Sequence, residues 1–241
     1  MRKECIDKGK GKVIILVHGL FGALSNWKTV INELSKNYRV IVPKLPITEL
    51  DPSKASISGL SEFISDFISS KKLKNISIIG NSLGGHLAID YTINFQKNVK
   101  NLILTGSSGL FENSFGGSFP KRGDYNYINE RVEYTFYNPK ILSKKYINEI
   151  YVTLNDNDKC LNIIKLARSA QRNNMSELLS KITSPTLLVW GLNDTITPPS
   201  VAHEFNRLIK NSKIKFIDNC CHAPMMEHPK LFNKYIVDFL K

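Results

Sequence analysis

Gly80-Asn81-Ser82-Leu83-Gly84 sets a serine inside a GxSxG pentapeptide, just after the apolar run Asn75–Ile79 and just before the helical stretch HLAIDYTINF. A serine in a sharp strand-to-helix turn needs tiny residues two before and two after it, or the crossing backbones collide. Its hydroxyl then stands clear of the sheet. Because a serine hydroxyl is a poor nucleophile at neutral pH, it requires a base, and the base an orienting acceptor. Two turns late in the chain offer them: Gly191-Leu192-Asn193-Asp194-Thr195-Ile196-Thr197-Pro198-Pro199 carries Asp194, and Asn219-Cys220-Cys221-His222-Ala223-Pro224 carries His222. Early on, His18-Gly19-Leu20-Phe21-Gly22 is loose enough to aim a backbone N–H at a developing oxyanion. The N–H of Leu83 supplies a second donor at the positive end of the following helix. The chemistry is acyl transfer, and it calls for no metal, nucleotide or flavin.

Several of these residues have plainer roles open to them. Asp194 suits an Asx turn. Asp218 ends a strand four residues before His222 and makes a poorer orienter. His18 can pack and hydrogen-bond behind its loop, while His86, His203 and His228, in or beside helices, read as surface or capping residues. Cys220 and Cys221 read as packed thiols.

The elements that must position these groups form a repeating pattern. Six short apolar runs, Lys12–Val17, Tyr38–Pro43, Asn75–Ile79, Asn101–Thr105, Thr186–Trp190 and Lys213–Asp218, are continuous rather than alternating, which predicts strands buried on both faces. Helices are expected at Ser25–Ser35, Ser56–Lys71, Ser82–Phe95, Ser200–Ile209 and Pro229–Leu240. The fold class is therefore α/β, a mostly parallel sheet with helices on both faces. Its strand-exit loops open on one edge, where Ser82, Asp194 and His222 would meet. Residues 1–110 and 182–241 form the expected core. Residues 111–181, too long for an ordinary connection, are expected to be a cap or lid. Ten of the chain's 23 aromatics fall between Phe111 and Tyr151. Phe111, Phe115 and Phe136 are candidate substrate-binding residues.

Composition narrows the field. The 241 residues carry 33 Lys+Arg against 21 Asp+Glu, a net charge of +12, yet the basic residues are scattered and no nucleic-acid module is present. Four cysteines without a CxxC pair supply neither a disulfide framework nor a zinc site. No apolar run reaches the roughly 18–20 residues that cross a bilayer, and the opening MRKECIDKGKGK has no apolar signal core. The expectation is a cytoplasmic protein, monomer or homodimer, with a small-molecule partner and neither nucleic-acid nor membrane binding.

Taken together, HGLFG, GNSLGG, GLNDTITPP and CCHAPMMEHP resemble the α/β-hydrolase superfamily, in particular the small cofactor-free serine hydrolases that include carboxylesterases, meta-cleavage carbon–carbon hydrolases and hormone-binding relatives. The resemblance covers nearly the whole chain outside the insertion. It implies Ser82 as nucleophile, Asp194 as acid, His222 as base, and the backbones of Leu20 (or Phe21) and Leu83 as oxyanion donors. The main expectation is hydrolysis of a small ester or thioester through an acyl-enzyme. The alternatives are a ligand receptor that retains the triad, and carbon–carbon hydrolysis of a dienoate, for which Arg168 and Arg172 would bind carboxylate. Serine at the elbow argues against the dehalogenase and epoxide hydrolase branches, which use aspartate there, and Ala223 departs from the aromatic that meta-cleavage hydrolases commonly place after the histidine. Only seventeen residues precede His18, so the first one or two strands of the family are expected to be missing or abbreviated.

Overall fold

The computed structural model describes residues 4–22, 24–113 and 121–241. Seven strands form one sheet: β1 (Cys5–Lys8), β2 (Val13–Val17), β3 (Arg39–Pro43), β4 (Ile76–Asn81), β5 (Val99–Thr105), β6 (Thr186–Gly191) and β7 (Ser212–Ile217). Their spatial order is β1-β3-β2-β4-β5-β6-β7. All neighbours pair in parallel except β1, which runs antiparallel to β3 from Cys5↔Pro43 to Lys8↔Val40. One four-residue strand thus stands ahead of the parallel set, in keeping with an abbreviated start.

Ten α-helices accompany the strands among the described residues: α1 (Lys28–Leu34), α2 (Ile57–Ser70), α3 (Leu83–Asn94), α4 (Tyr125–Glu133), α5 (Lys144–Asn155), α6 (Asn157–Arg172), α7 (Ser176–Leu179), α8 (Pro199–Leu208), α9 (Pro224–Glu227) and α10 (Pro229–Leu240). The continuous apolar strands serve two layers at once. Ile15, Val17, Ile78, Leu102 and Leu188 join one cluster with Ile64 and Phe67 of α2, Leu87 of α3 and Phe205 of α8. Ile14, Leu16, Ile79, Ile103 and Val189 face the other side, where Val30 and Leu34 of α1 and Phe232 and Ile236 of α10 cover them. Period-two alternation of side chains makes this possible only when every strand residue is apolar. At the β7 edge one face is solvated, and the pattern changes to alternation: Lys213 and Lys215 are exposed between half-buried Ile214 and Phe216. Charged side chains there discourage edge-to-edge pairing.

Between β5 and β6 the chain leaves the sheet and forms α4 to α7. Ile128, Val132, Ile150, Leu154, Ile163 and Leu166 from these helices belong to the same apolar cluster as the sheet and α2. Polar clasps reinforce the contact: Asn162 Nδ2 donates to the Leu50 carbonyl at 2.8 Å and the Ile57 N–H to Ser169 Oγ at 3.0 Å. Among the described residues no helix is long and apolar enough to cross a membrane.

Candidate active site

Ser82 follows β4 and caps α3 with φ +54° and ψ −122°, a left-side conformation that costs a non-glycine residue about 1–3 kcal/mol. The surrounding hydrogen bonds hold it there. Its N–H donates to the Thr105 carbonyl at 3.2 Å, and its own carbonyl accepts from Gly85 N at 2.9 Å and Ser108 N at 3.1 Å. The flanking glycines are required sterically: a Cβ on Gly80 would strike the Gly84 carbonyl, and one on Gly84 the Val17 carbonyl.

The loop after β6 brings Asp194 to His222. His222 Nδ1 lies 3.1 Å from Asp194 Oδ1 and 3.0 Å from Oδ2. Asp194 also forms the turn its residue type suggested, because Oδ1 accepts from the N–H groups of Ile196 and Thr197, both at 2.9 Å, and Oδ2 from Thr197 Oγ1 at 2.9 Å. Trp190 Nε1 braces the same loop by donating to the Thr197 carbonyl at 2.7 Å. Burial of the His222 ring works against its charge, yet the carboxylates of Asp194, Glu112 and Glu227 outweigh it and hold the imidazole above its usual range. Asp218 takes no part; it is exposed and accepts from the Asn219 N–H.

Ser82 and His222 line one cavity of about 130 Å³, together with Leu20, Phe21 and Leu83. Among the described residues the Ser82 hydroxyl has no hydrogen-bond partner, so Nε2 of His222 is not yet joined to it; such bonds are often long until substrate is bound. The N–H of Leu83 opens α3 and has no intrahelical carbonyl to meet, and that of Leu20 has no partner among the described residues. Behind this loop His18 is buried. Its Nδ1 lies 2.8 Å from the Gly19 carbonyl and its Nε2 accepts from Leu45 N at 3.1 Å, while burial brings its pKa down to about 4. His18 is therefore a neutral strut that fixes the loop.

The expected substrate contacts fare unevenly. Phe136 lines the cavity, whereas Phe111 is 59% exposed and does not. Phe115 lies outside the described residues. Arg168 and Arg172 are exposed and away from the cavity, since the buried stripe of α6 is Cys160, Ile163, Leu166 and Ala170, and Arg168 projects from the opposite side. His86 is fully buried rather than superficial, its Nε2 3.2 Å from Asn173 Oδ1 at the end of α6. His203 is exposed against the Phe216 ring, and His228 Nε2 meets the Asn219 carbonyl at 2.9 Å. Cys220 and Cys221 are free and buried, with burial pushing both thiols up and out of the reactive range.

Two carboxylates escaped the sequence reading. Glu227 accepts from Cys221 N at 2.7 Å, Tyr137 N at 2.7 Å and Asn138 N at 3.2 Å, tying the histidine loop to the segment after α4. Glu112 lines the cavity itself, and Ser108 Oγ donates to its Oε2 at 2.7 Å. An acid in a strand-exit loop, the same signal that singled out Asp194, would have found Glu112. Among the described residues no group of three His, Cys, Asp or Glu is placed to hold a metal.

A strained elbow serine, an Asp–His pair and a cavity at the carboxyl edge of a parallel sheet define a hydrolase-like architecture. The chain belongs to the α/β-hydrolase fold family, whose model matches residues 12–133 and 137–229. It is 25% identical to the 2-hydroxy-6-oxononadienedioate/2-hydroxy-6-oxononatrienedioate hydrolase of Cupriavidus pinatubonensis, over 99% of this chain and 90% of that protein. It is also 25% identical to monoacylglycerol lipase ABHD6 of Bos taurus, over 94% of this chain and 74% of the lipase. Among solved structures it is similar to MGS-MChE2, an α/β-hydrolase enzyme from the metagenome of lagoon sediments of Mar Chica, Morocco, with 34% identity, a TM-score of 0.80 and coverage of 98% of this chain and 93% of that one.

Proposed function

We propose that the protein is a serine hydrolase that cleaves a small carboxylic ester or thioester through an acyl-enzyme. Ser82 Oγ attacks the carbonyl carbon while its proton passes to His222 Nε2. Asp194 holds the ring with Nδ1 protonated and stabilises the imidazolium. The N–H groups of Leu20 and Leu83 receive the oxyanion. The alcohol or thiol departs with the proton from His222, and a water deprotonated by the same nitrogen releases the acid. The observation that carries this reading is the convergence of the elbow serine and the Asp194-bound imidazole on one cavity. Helices α4 to α6 act as its cap, contributing Val132, Tyr146, Ile150 and Ala170 to a mainly apolar lining suited to a compact acyl or alcohol group.

The dienedioate hydrolase relatives favour carbon–carbon cleavage as a second reading. Their named substrates carry carboxylates, and among the described residues no Lys or Arg lines this cavity, which supports the ester reading over it. Ser82→Ala is the test. Turnover of 4-nitrophenyl acetate should fall to the buffer rate while the circular dichroism melt is retained; undiminished turnover in a pure preparation rejects Ser82 as nucleophile. Loss of colour from a meta-cleavage product at a rate above that of the ester would favour the second reading.

A further inference from the structure

Glu112 has an unusual position in this cavity. The chain leaves β5, passes Ser108, and reaches Glu112. Both neighbours are anchored. Ser108 donates its N–H to the Ser82 carbonyl at 3.1 Å and its hydroxyl to Glu112 Oε2 at 2.7 Å. Asn113 donates its N–H to the Ile196 carbonyl at 2.7 Å and its side-chain amide to the Thr195 carbonyl at 2.8 Å, so the next residue is fastened to the loop that carries Asp194. Ser108 holds the carboxylate at the cavity wall, and Asn113 ties the backbone beside it to the neighbouring loop. One oxygen, Oε2, has a donor; the other, Oε1, receives none among the described residues.

No other side chain lining the cavity among the described residues carries a full charge, and His222 is the only other group there that ionises near neutrality. The undescribed stretch 114–120, SFGGSFP, contains no charged residue. The molecule as a whole is strongly cationic, at +12, so its long-range field draws anions. A local preference for cations must come from Glu112. Burial also lifts the Glu112 carboxyl above its ordinary range, with the Ser108 hydrogen bond and the His222 charge opposing that rise. A cationic group arriving beside it would restore the favourable partner that burial takes away.

The side of the cavity follows from the chemistry. His222 hands its proton to the departing alcohol, so the region beside His222 holds the alcohol portion, and the charge of Glu112 acts on His222 directly. We propose that Glu112 is a specificity-determining residue whose free carboxylate oxygen accepts from an ammonium group on the alcohol portion of the ester, selecting cationic esters and rejecting those that carry a carboxylate. This rests on the ester-hydrolase reading above.

Three acetates of nearly equal size test it: 2-(dimethylammonio)ethyl acetate, its neutral isostere 3-methylbutyl acetate, and 3-acetoxypropanoate, followed by acid release at pH 7. A charge-assisted hydrogen bond should favour the ammonium ester over the isostere by at least about tenfold in kcat/KM, with the carboxylate ester slowest. In Glu112→Gln the ammonium-to-neutral ratio should collapse toward one; a wild-type ratio near one, or a ratio that survives the substitution, overturns the proposal. Calorimetric titration with the free alcohols N,N-dimethylethanolamine and 3-methylbutanol needs no turnover. If no ester is cleaved but the amino alcohol binds more tightly than its isostere and loses that advantage in Glu112→Gln, the ester reading fails and the cation site stands. Equal binding of the two alcohols to the wild-type protein overturns the site.

Discussion

Two acids leave the sheet on loops from adjacent strands, β5 and β6, and both act electrostatically on His222, yet their surroundings differ sharply. Asp194 has a side chain with no solvent exposure, and its oxygens meet two backbone N–H groups, the Thr197 hydroxyl and the His222 ring. Glu112 has one donor among the described residues, Ser108, and a second oxygen left over at a cavity wall. A carboxylate whose lone pairs are fully taken is fixed in place and suits orientation of another group. One that is half satisfied has capacity left for a ligand. The same residue chemistry, on equivalent loops, divides into positioning and recognition through the count of local donors alone.

The comparison breaks most severely at Asp194. Asp194→Asn keeps a carbonyl oxygen for the Ile196 and Thr197 N–H groups but turns an NH₂ toward His222 Nδ1, which favours the wrong tautomer. The expected loss in kcat is on the order of 10⁴, with little change in the thermal melt. Asp194→Ala should add a folding defect, because each buried N–H left unpaired costs about 1–3 kcal/mol. If Asp194→Asn retained most of its turnover, Glu112 and Asp194 would have to exchange the roles assigned to them.

A smaller effect sharpens the contrast through pH. In the proposed mechanism turnover needs neutral His222, so kcat/KM should rise with pH through the ionisation of that ring. Asp194, Glu112 and Glu227 all favour the imidazolium, which sets the acid limb above the ordinary histidine value near 6.5. Removing one negative charge in Glu112→Gln makes the imidazolium less stable, and the limb should therefore move to lower pH. A pH profile on a neutral ester checks this, and a limb that stays in place or moves upward contradicts the electrostatic link.

Legibility in the sequence followed how locally each feature is determined. Five strands announced themselves because burial on both faces leaves little room for polar residues, and β7 through apolar residues alternating with lysines at a half-solvated edge, whereas β1, reading Cys-Ile-Asp-Lys, has two apolar residues and owes its existence to pairing with β3. Ser82, Asp194 and His222 sit in turns whose glycines, prolines and asparagines are demanded by the backbone nearby, so motif and geometry coincide. The segment between β5 and β6 has no sheet register to fix its directions, and there aromatic content misled: Phe111 faces solvent while Phe136 reaches the cavity. Helical periodicity was the better guide. Spacing from Ile163 through Leu166 to Ala170 sends Arg168 outward, away from any carboxylate in the site. His86 stayed hidden because its burial depends on α6 closing over the start of α3, a contact between segments 87 residues apart.

Ser108→Ala gives the finest test of the two-acid contrast. The substitution deletes the one hydrogen bond that the Glu112 carboxylate receives among the described residues and leaves intact the Ser108 N–H bond that supports the Ser82 turn. A hydroxyl-to-carboxylate bond contributes about 1.5–3 kcal/mol net, of which only the part that alters the ligand-facing oxygen bears on selectivity, so the preference for the ammonium ester over its isostere should change only a few-fold. The sign is informative. If Ser108 serves to aim the carboxylate, the preference falls; if it merely occupies acceptor capacity, releasing Oε2 raises it. In either case the effect must pass through Glu112, so Ser108→Ala placed on Glu112→Gln should leave the ratio where the single Gln variant put it. A full, additive effect in the double variant would mean that Ser108 acts on selectivity through the elbow instead, and the acid of the β5 loop would lose its claim to a separate role.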